Sequence, residues 1–258
     1  MKTLGLVIPA HNEERRIGPT LEEYGLFFDK LASQKILDCK IYVVINNTID
    51  KTEQIVKKYS NKYKRISYVD LLHGGKGYAI IEGFKHFIKG NFDLIGFVDA
   101  DMATSPEEFY KLVLASKNAD GAIADRYLPA SKIRPKPSLS RLFAKRLFNF
   151  LIRTLLFLPF GDTQCGAKVF KKKPLQSVMK NLSMSQWAFD VELLYHIYKK
   201  EFDIRVVPTV WTDKEYSTIN FWRAGPWMAL GVLRLRILNS PFRIFLKIYD
   251  KFIGFIPK

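Results

Sequence analysis

Asp99-Ala100-Asp101 closes the apolar run Leu94-Ile95-Gly96-Phe97-Val98. Carboxylates spaced this way, where a buried strand opens into a loop, suit joint binding of one divalent cation. Hard cations such as Mg²⁺ take oxygen ligands, commonly one or two carboxylates completed by ligand phosphates. The open ends of strands are also where α/β sheets bind ligands. A plainer alternative is a helix start, since Ser105-Pro106-Glu107-Glu108 follows as an N-terminal signature.

Four other clusters combine polar chemistry with loop-forming residues. Pro9-Ala10-His11-Asn12-Glu13-Glu14 follows the first apolar run and would face the same crevice, or simply supply acids to a helix start. Gly74-Gly75-Lys76-Gly77 can bring backbone N–H groups and one ammonium against phosphates, or be a plain loop with a lysine. It lacks P-loop spacing, and the chain has no G-x-G-x-x-G, so a dinucleotide site has no support. Gly161-Asp162-Thr163-Gln164-Cys165-Gly166-Ala167-Lys168 has the composition of a loop lining a site, with Asp162 alternatively pairing a nearby cation. Trp187-Ala188-Phe189-Asp190-Val191-Glu192 puts two carboxylates at a helix start, to orient hydroxyls, to act as a base, or to complement the helix dipole.

The elements that must position these residues alternate strand and helix, which predicts a parallel sheet with helices on its faces. Strands are expected at Leu4–Ile8, Ile41–Ile45, Ile66–Leu71, Leu94–Val98 and Gly121–Ala124, with helices between them. Beyond these the pattern predicts helices over Ser138–Leu158 and Ala188–Lys199 and a late strand at Ile204–Val210. The expected organisation is one catalytic domain, residues 1–216, followed by a basic amphipathic segment, 217–258.

Bulk properties narrow the classes. With 258 residues, 48% of them apolar, the chain can bury a sizeable core. Cys39 and Cys165 lie far apart with no C-x-x-C partner, which argues against a disulfide framework or a cysteine zinc site. Met1-Lys2 runs straight into the first strand, so no secretory leader is expected. No apolar stretch reaches the roughly 18–20 residues of a membrane span. The formal net charge is +16, and Asp162 is the only acid between Lys132 and Lys180. The stretch from Phe221 to Lys258 is again basic, with Asp250 its only acid. Such a field favours polyanions: nucleic acid, anionic lipid or a phosphorylated substrate.

Along the helix from Ser138, Arg141, Lys145 and Asn149 fall on one polar stripe beside an apolar one. With Leu155-Leu156-Phe157-Leu158-Pro159-Phe160 following, this suits a helix lying in a membrane interface. The tail repeats the pattern, mixing Trp222, Trp227 and Phe242 with Arg223, Arg234 and Arg236. A core helix pair with basic edges is the competing arrangement.

Taken together, these stretches resemble the family-2 inverting glycosyltransferases of GT-A fold. Within them they are most similar to the polyprenyl-phosphate sugar synthases, the dolichyl-phosphate β-glucosyltransferases among them. The resemblance lies in V-I-P-A-H-N-E-E at 7–14, G-K-G-Y-A at 75–79, V-D-A-D-M-A-T at 98–104 and D-R-Y at 125–127. It continues in D-T-Q-C-G-A-K at 162–168, W-A-F-D-V-E-L-L at 187–194 and Trp211, covering residues 3–215.

The resemblance implies a GT-A fold, a Rossmann-like and mostly parallel sheet, with C-terminal amphipathic helices at a membrane. It implies a nucleotide-sugar donor, UDP-glucose or GDP-mannose, a polyprenyl or dolichyl phosphate acceptor, and Mg²⁺ or Mn²⁺. Pro9, Ala10, His11, Asn12, Glu13 and Asn46 would line the nucleoside pocket. Asp99 and Asp101, with Ala100 between them and Lys76 nearby, would hold the metal and diphosphate. Arg126, Arg141 and Lys145 would receive phosphates, and Asp162, Gln164, Asp190 and Glu192 would position the sugar. Asn46 stands where the family usually has a base-contacting carboxylate, so the donor base is left open. The implied location is peripheral, on the cytoplasmic face of a membrane, with an anionic surface as partner. Two other readings compete: a hydroxyl acceptor served by Asp190 or Glu192 as base, and a nucleic-acid binder. The apolar content of the basic segments opposes the last, so no nucleic-acid partner is expected.

Overall fold

The structure, a computed structural model, describes residues 1–135, 139–182, 188–212 and 221–243, the backbone alone for 139–145 and 221–228. Its centre is a seven-stranded sheet in the order β3-β2-β1-β4-β7-β5-β8. The strands are β1 (Lys2–Ala10), β2 (Leu37–Asn46), β3 (Ile66–Leu71), β4 (Leu94–Val98), β5 (Gly121–Asp125), β7 (Ala167–Lys171) and β8 (Ile204–Pro208). A small second sheet pairs β6 (Lys132–Arg134) in parallel with β9 (Val210–Thr212). The pairings β1–β2, β2–β3, β1–β4 and β5–β8 are parallel, and β7 alone runs against its neighbours β4 and β5.

Helices cover both faces, as a parallel sheet requires. On one face, α1 (Ile17–Ser33), α2 (Thr52–Lys62) and α4 (Pro106–Ala115) bury Ile17, Leu21, Tyr24, Phe28, Val56 and Phe109 against the strands. On the other lie α3 (Lys76–Lys89), α5 (Leu139–Leu156), α6 (Lys172–Val178), α7 (Phe189–Lys199) and α8 (Phe221–Leu238). Phe84, Ile152, Leu156, Phe189, Leu193 and Leu194 fill that second layer. Ser105 caps α4, its hydroxyl accepting from Glu108 N, with Pro106 just inside the helix. The Ser105 signature is therefore a true helix start, and Asp99-Ala100-Asp101 lies outside it.

The strands and helices expected from sequence are present, with ends displaced by a few residues. Two departures matter. Ala167–Lys171 is a core strand whose first two residues fall in the Gly161–Lys168 stretch expected as a site-lining loop, because Lys168 interrupts a short apolar run. Asn149, placed on a solvated stripe, is 6% exposed, its Oδ1 accepting from Thr163 Oγ1 at 3.5 Å. The chain also places α8 against α5 and α7, with Val232 and Leu235 buried in the second layer.

No helix among the described residues is long and apolar enough to cross a membrane. The paired helices α5 and α8 nevertheless expose large apolar side chains. On and after α5 these are Leu147, Phe150, Leu151, Leu155 and Phe157; on and after α8 they are Leu230, Leu233 and Phe242. The Arg236 guanidinium lies over the Phe157 ring, 5.2 Å from its centroid.

Candidate active site

The strand order turns back between β1 and β4, because β1 is followed in the sheet by β2 on one side and β4 on the other. Ligand crevices of open α/β sheets form at such a switch, beyond the carboxyl ends of the strands. Three non-glycine residues there have left-handed backbones: Asn12 after β1, Asn47 after β2 and Met102 after β4, at φ 54°, 48° and 59°. Asparagine tolerates this region; for methionine it is uncommon, and such conformations cluster at functional sites.

Backbone and hydroxyl contacts knit the loops around this crevice. Thr20 Oγ1 of α1 donates to Ala100 O at 2.7 Å, holding the turn between the two carboxylates. Asn12 Oδ1 accepts from Ile49 N at 3.0 Å, and Glu13 N donates to Thr52 Oγ1 at 2.7 Å. His11 Nδ1 lies 2.8 Å from Asn46 O. Asn46 itself is buried; in the amide orientation that satisfies both atoms, its nitrogen donates to Ala10 O and its oxygen accepts from Gly75 N, each at 2.8 Å. Gly75, at φ 120°, then opens α3 and delivers Lys76.

From core to mouth the site is a chain of alternating charges. Lys168 of β7 is fully buried, and its Nζ donates to Asp190 Oδ1 at 2.5 Å and to Cys165 O at 2.6 Å. The other Asp190 oxygen is 3.5 Å from Lys76 Nζ, which in turn lies 2.7 Å from Asp99 Oδ1. Burial pushes the Asp190 carboxyl up, but Lys168 and Lys76 together outweigh it and hold it below the usual range. Burial likewise works against the Lys76 ammonium, and Asp190 and Asp99 more than offset it, raising its pKa.

Asp101 Oδ1 accepts from Ala103 N at 2.9 Å. Burial, then the neighbouring charge of Asp99, push its carboxyl up. Glu13, paired with Arg16 through two contacts of 2.7 Å, is also pushed up by burial, with Asp101 and Asp99 adding to the effect. Glu13, Asp99 and Asp101 thus converge on one crevice, where the charge of Asp99 adds to the cost of ionising both Asp101 and Glu13. Oxygen donors crowded in this way suit a hard cation. Among the described residues no group of three or more His, Cys, Asp or Glu side chains is arranged to hold a metal. Asp99 and Asp101, two residues apart at the end of β4, are the carboxylates that could share one cation.

A second ion pair stands beside the first. The Arg126 guanidinium binds Asp162 in a fork, Nε to Oδ2 at 2.6 Å and Nη2 to Oδ1 at 2.9 Å. Asp162 also accepts from Arg126 N and Gln164 N, so both of its oxygens are engaged. Burial would raise Asp162, yet Arg126 holds it below the ordinary carboxylate range. Arg126 packs 5.2 Å from the Trp211 ring and 5.8 Å from that of Tyr127, whose phenol burial pushes up to about 12. The Cys165 thiol joins the clusters: burial pushes it up to about 12, and Arg126, Asp162, Lys168 and Asp99 all act on it.

The expected residues thus fall into groups. Glu13, Lys76, Asp99, Asp101, Arg126, Asp162 and Asp190 converge, while His11 and Asn12 are exposed at the rim. Pro9, Ala10, Ala100 and Asn46 are buried and contribute framework. Glu192 is buried on α7. Gln164 Nε2 is a buried donor with no partner among the described residues. The side chains of Arg141 and Lys145, and Trp187, lie outside the described residues. Gly166 and Lys168 stand in the quoted Gly161–Lys168 stretch without a role of their own, and Arg16 is not among the residues the sequence singles out. A lysine inside the apolar run Ala167-Lys168-Val169-Phe170 was the available signal.

An open sheet with acids, a lysine and tight turns gathered at its switch point defines an α/β protein with a charged crevice at its strand ends. The chain belongs to glycosyl transferase family 2, whose family model matches residues 6–179. It is 30% identical over 257 residues to a dolichyl-phosphate beta-glucosyltransferase of Drosophila melanogaster, covering 93% of this chain and 77% of the relative. A human protein of the same description is 28% identical, with 94% and 78% covered. Among solved structures, glucosyl-3-phosphoglycerate synthase of Mycobacterium tuberculosis with Mn²⁺, uridine diphosphate and phosphoglyceric acid superposes with a TM-score of 0.66. That match covers 92% of this chain and 78% of the other at 16% identity, and establishes the shared GT-A architecture.

Proposed function

We propose that this chain transfers glucose from UDP-glucose to a polyprenyl phosphate of the dolichyl type, inverting the anomeric centre, at a membrane surface. The family and the relatives above support glucosyl transfer to a dolichyl phosphate. The observation that carries the choice of acceptor is Asp190, clamped as an anion between Lys168 and Lys76. A carboxylate so stabilised is a poor proton acceptor, whereas general-base catalysis favours a pKa near the operating pH. A phosphate acceptor is already ionised and needs no base; a hydroxyl acceptor would.

In the reaction a phosphate oxygen attacks the anomeric carbon as the bond to the UDP oxygen breaks, and the electron pair leaves with UDP. No proton need be moved. Back-side attack on an α-linked donor yields a β-linked sugar phosphate. Lys76 would meet the diphosphate, and Arg126, with Arg141 and Lys145, the acceptor phosphate, so that fixed cations bring two anions together. Asp99 and Asp101 would hold Mg²⁺ or Mn²⁺, which supplies charge neutralisation for the departing diphosphate. Asp162 serves to fix Arg126, rather than to touch the sugar. Gln164 offers its unpaired Nε2 to the bound ligand, and Asp190 and Glu192 shape the sugar's surroundings. His11, Asn12 and Glu13 border the nucleoside, on a frame made by Pro9, Ala10 and Asn46.

Residues 1–216 would form the catalytic domain and 217–258 the membrane-associating segment, with the exposed apolar and basic face of α5 and α8 resting on the cytoplasmic leaflet. The direct test offers UDP-glucose and, in parallel, GDP-mannose to a polyprenyl phosphate in detergent with Mg²⁺, wild type beside Asp101→Ala. Glucose appearing in the lipid phase with wild type alone supports the assignment. Donor binding without lipid labelling would move the acceptor to a hydroxyl.

A further inference from the structure

Lys168 stands in the centre of the sheet, 0% exposed, while Lys76 is 30% exposed at the crevice. Only Lys76 can meet a ligand directly. We infer that Lys168 is a positioning residue for the donor: by pairing with Asp190 it leaves the Lys76 ammonium free to engage a nucleoside diphosphate. The inference rests on the nucleotide-sugar reading above and adds a residue to which that reading gives no role toward the donor.

The distances carry the argument. Asp190 is buried, 6% exposed at its side chain, so water does not neutralise it. Lys168 meets Oδ1 at 2.5 Å, and Lys76 stands off Oδ2 at 3.5 Å while leaning on Asp99 at 2.7 Å. A buried carboxylate deprived of its partner is strongly destabilised and takes whatever cation is in reach. Without Lys168 that cation is Lys76, which would be drawn inward and away from the mouth.

The seat of Lys168 is built for this purpose. Cys165 O takes a second hydrogen from Nζ at 2.6 Å. The Phe97 ring lies beneath both ammonium groups, 5.2 Å from Lys168 Nζ and 5.8 Å from Lys76 Nζ. Charges therefore alternate from the core outward: Lys168, Asp190, Lys76, Asp99. A cation taken up by Asp99 at the outer end would free Lys76 for the diphosphate, provided Asp190 already has its own partner.

The experiment measures UDP binding by calorimetry with Mg²⁺, on the full chain in detergent, with thermal melting recorded for each variant. UDP lacks the sugar, so any contact of Asp190 with the transferred hexose does not enter. Wild type is compared with Lys76→Ala, Lys168→Met and the double variant Lys168→Met/Asp190→Asn. The single Lys168 variant is expected to weaken UDP about tenfold, the scale of one lost charge-assisted phosphate contact. The double variant, lacking the anion that captures Lys76, is expected to return to within about twofold of wild type, the partner charges having been removed together. Wild-type affinity in a folded Lys168→Met, or a double variant as weak as the single, overturns the inference. If Lys168→Met does not fold, Lys168→Gln takes its place in the same comparison, with the same outcomes for and against the role. Failure of wild type itself to bind UDP would overturn the donor reading, and this inference with it.

Discussion

Gly166 and Asp99 touch across the β4–β7 junction so closely that a Cβ on Gly166 would lie 1.8 Å from Asp99 Oδ2. The same glycine's carbonyl accepts from Asp99 N at 3.1 Å. Its backbone therefore both anchors the first carboxylate of the pair and leaves the space that carboxylate fills. Gly166→Ala is expected to displace the Asp99 side chain and lower sugar transfer by about a hundredfold, as ångström-scale misplacement does. The loss should track the metal, with UDP binding no longer strengthened by Mg²⁺. A variant that keeps both rate and metal response would show that Asp99 tolerates the shift.

Asp162 and Arg126 make the other prediction about the site. Asp162→Asn leaves a buried guanidinium without its countercharge, which costs about 3–5 kcal/mol in comparable pairs. Because the folded carboxyl titrates below its ordinary value, its contribution is complete above the ordinary carboxylate range and is lost as pH falls through the depressed value. Urea unfolding should thus show a wild-type-to-variant gap that is flat from about pH 8 to 5 and narrows only below about pH 4. A gap that instead widened on acidification would mean that Asp162 is not held as an anion by Arg126.

The parts of the fold visible in the sequence were those in which local pattern and tertiary role agree. The runs Leu4–Ile8 and Leu94–Val98 are buried on both faces and bounded by turn residues, so they read as parallel strands wherever they sit. Asp99 and Asp101 were legible for the same reason, as charges at the end of such a run. Lys168 was not, because its burial depends on Asp190, 22 residues away, and on a strand pairing that local pattern does not reveal. Asp162 was recognised as a site residue, yet its commitment to Arg126, 36 residues distant, needs the fold. Asn149 illustrates the converse: helical spacing put it on a polar stripe, while the packing of α5 turns it against Thr163.

Asn46 tests the framework that ties β1 and β2 to the Gly75 turn, beneath the proposed nucleoside pocket. Its amide nitrogen faces Ala10 O and its oxygen faces Gly75 N. Asn46→Asp keeps the second contact and sets a carboxylate against a carbonyl in the first. Destabilisation of about 1–3 kcal/mol is expected at neutral pH, the cost of an unsatisfied buried polar group. The introduced carboxyl is disfavoured as an anion, so its folded pKa is raised; the penalty should be relieved as pH falls through that value, when the acid can donate. Unfolding free energies at pH 7 and pH 5 measure this, and an equal penalty at both would argue against the Ala10 contact.

The membrane reading rests on a surface, and its test separates apolar contact from charge. Phe150 and Phe157, at 60% and 69% exposure, and Leu233 at 44%, lie on or just beyond the paired helices α5 and α8. Arg146, Arg153 and Arg243 are exposed on the same segments. Aromatic and aliphatic groups insert at the headgroup boundary while cations meet anionic lipid, so both should contribute. Raising salt should weaken binding to anionic vesicles without abolishing it, since screening removes only the charge component. Phe150→Asp/Phe157→Asp/Leu233→Asp should lower vesicle affinity at least about tenfold, because burying even one such side chain contributes about 1.5–3 kcal/mol. These side chains face solvent, so UDP binding should be unchanged, which reports that the catalytic body is intact. Co-sedimentation with vesicles then decides: a triple variant that sediments like wild type would place the membrane contact elsewhere on the chain.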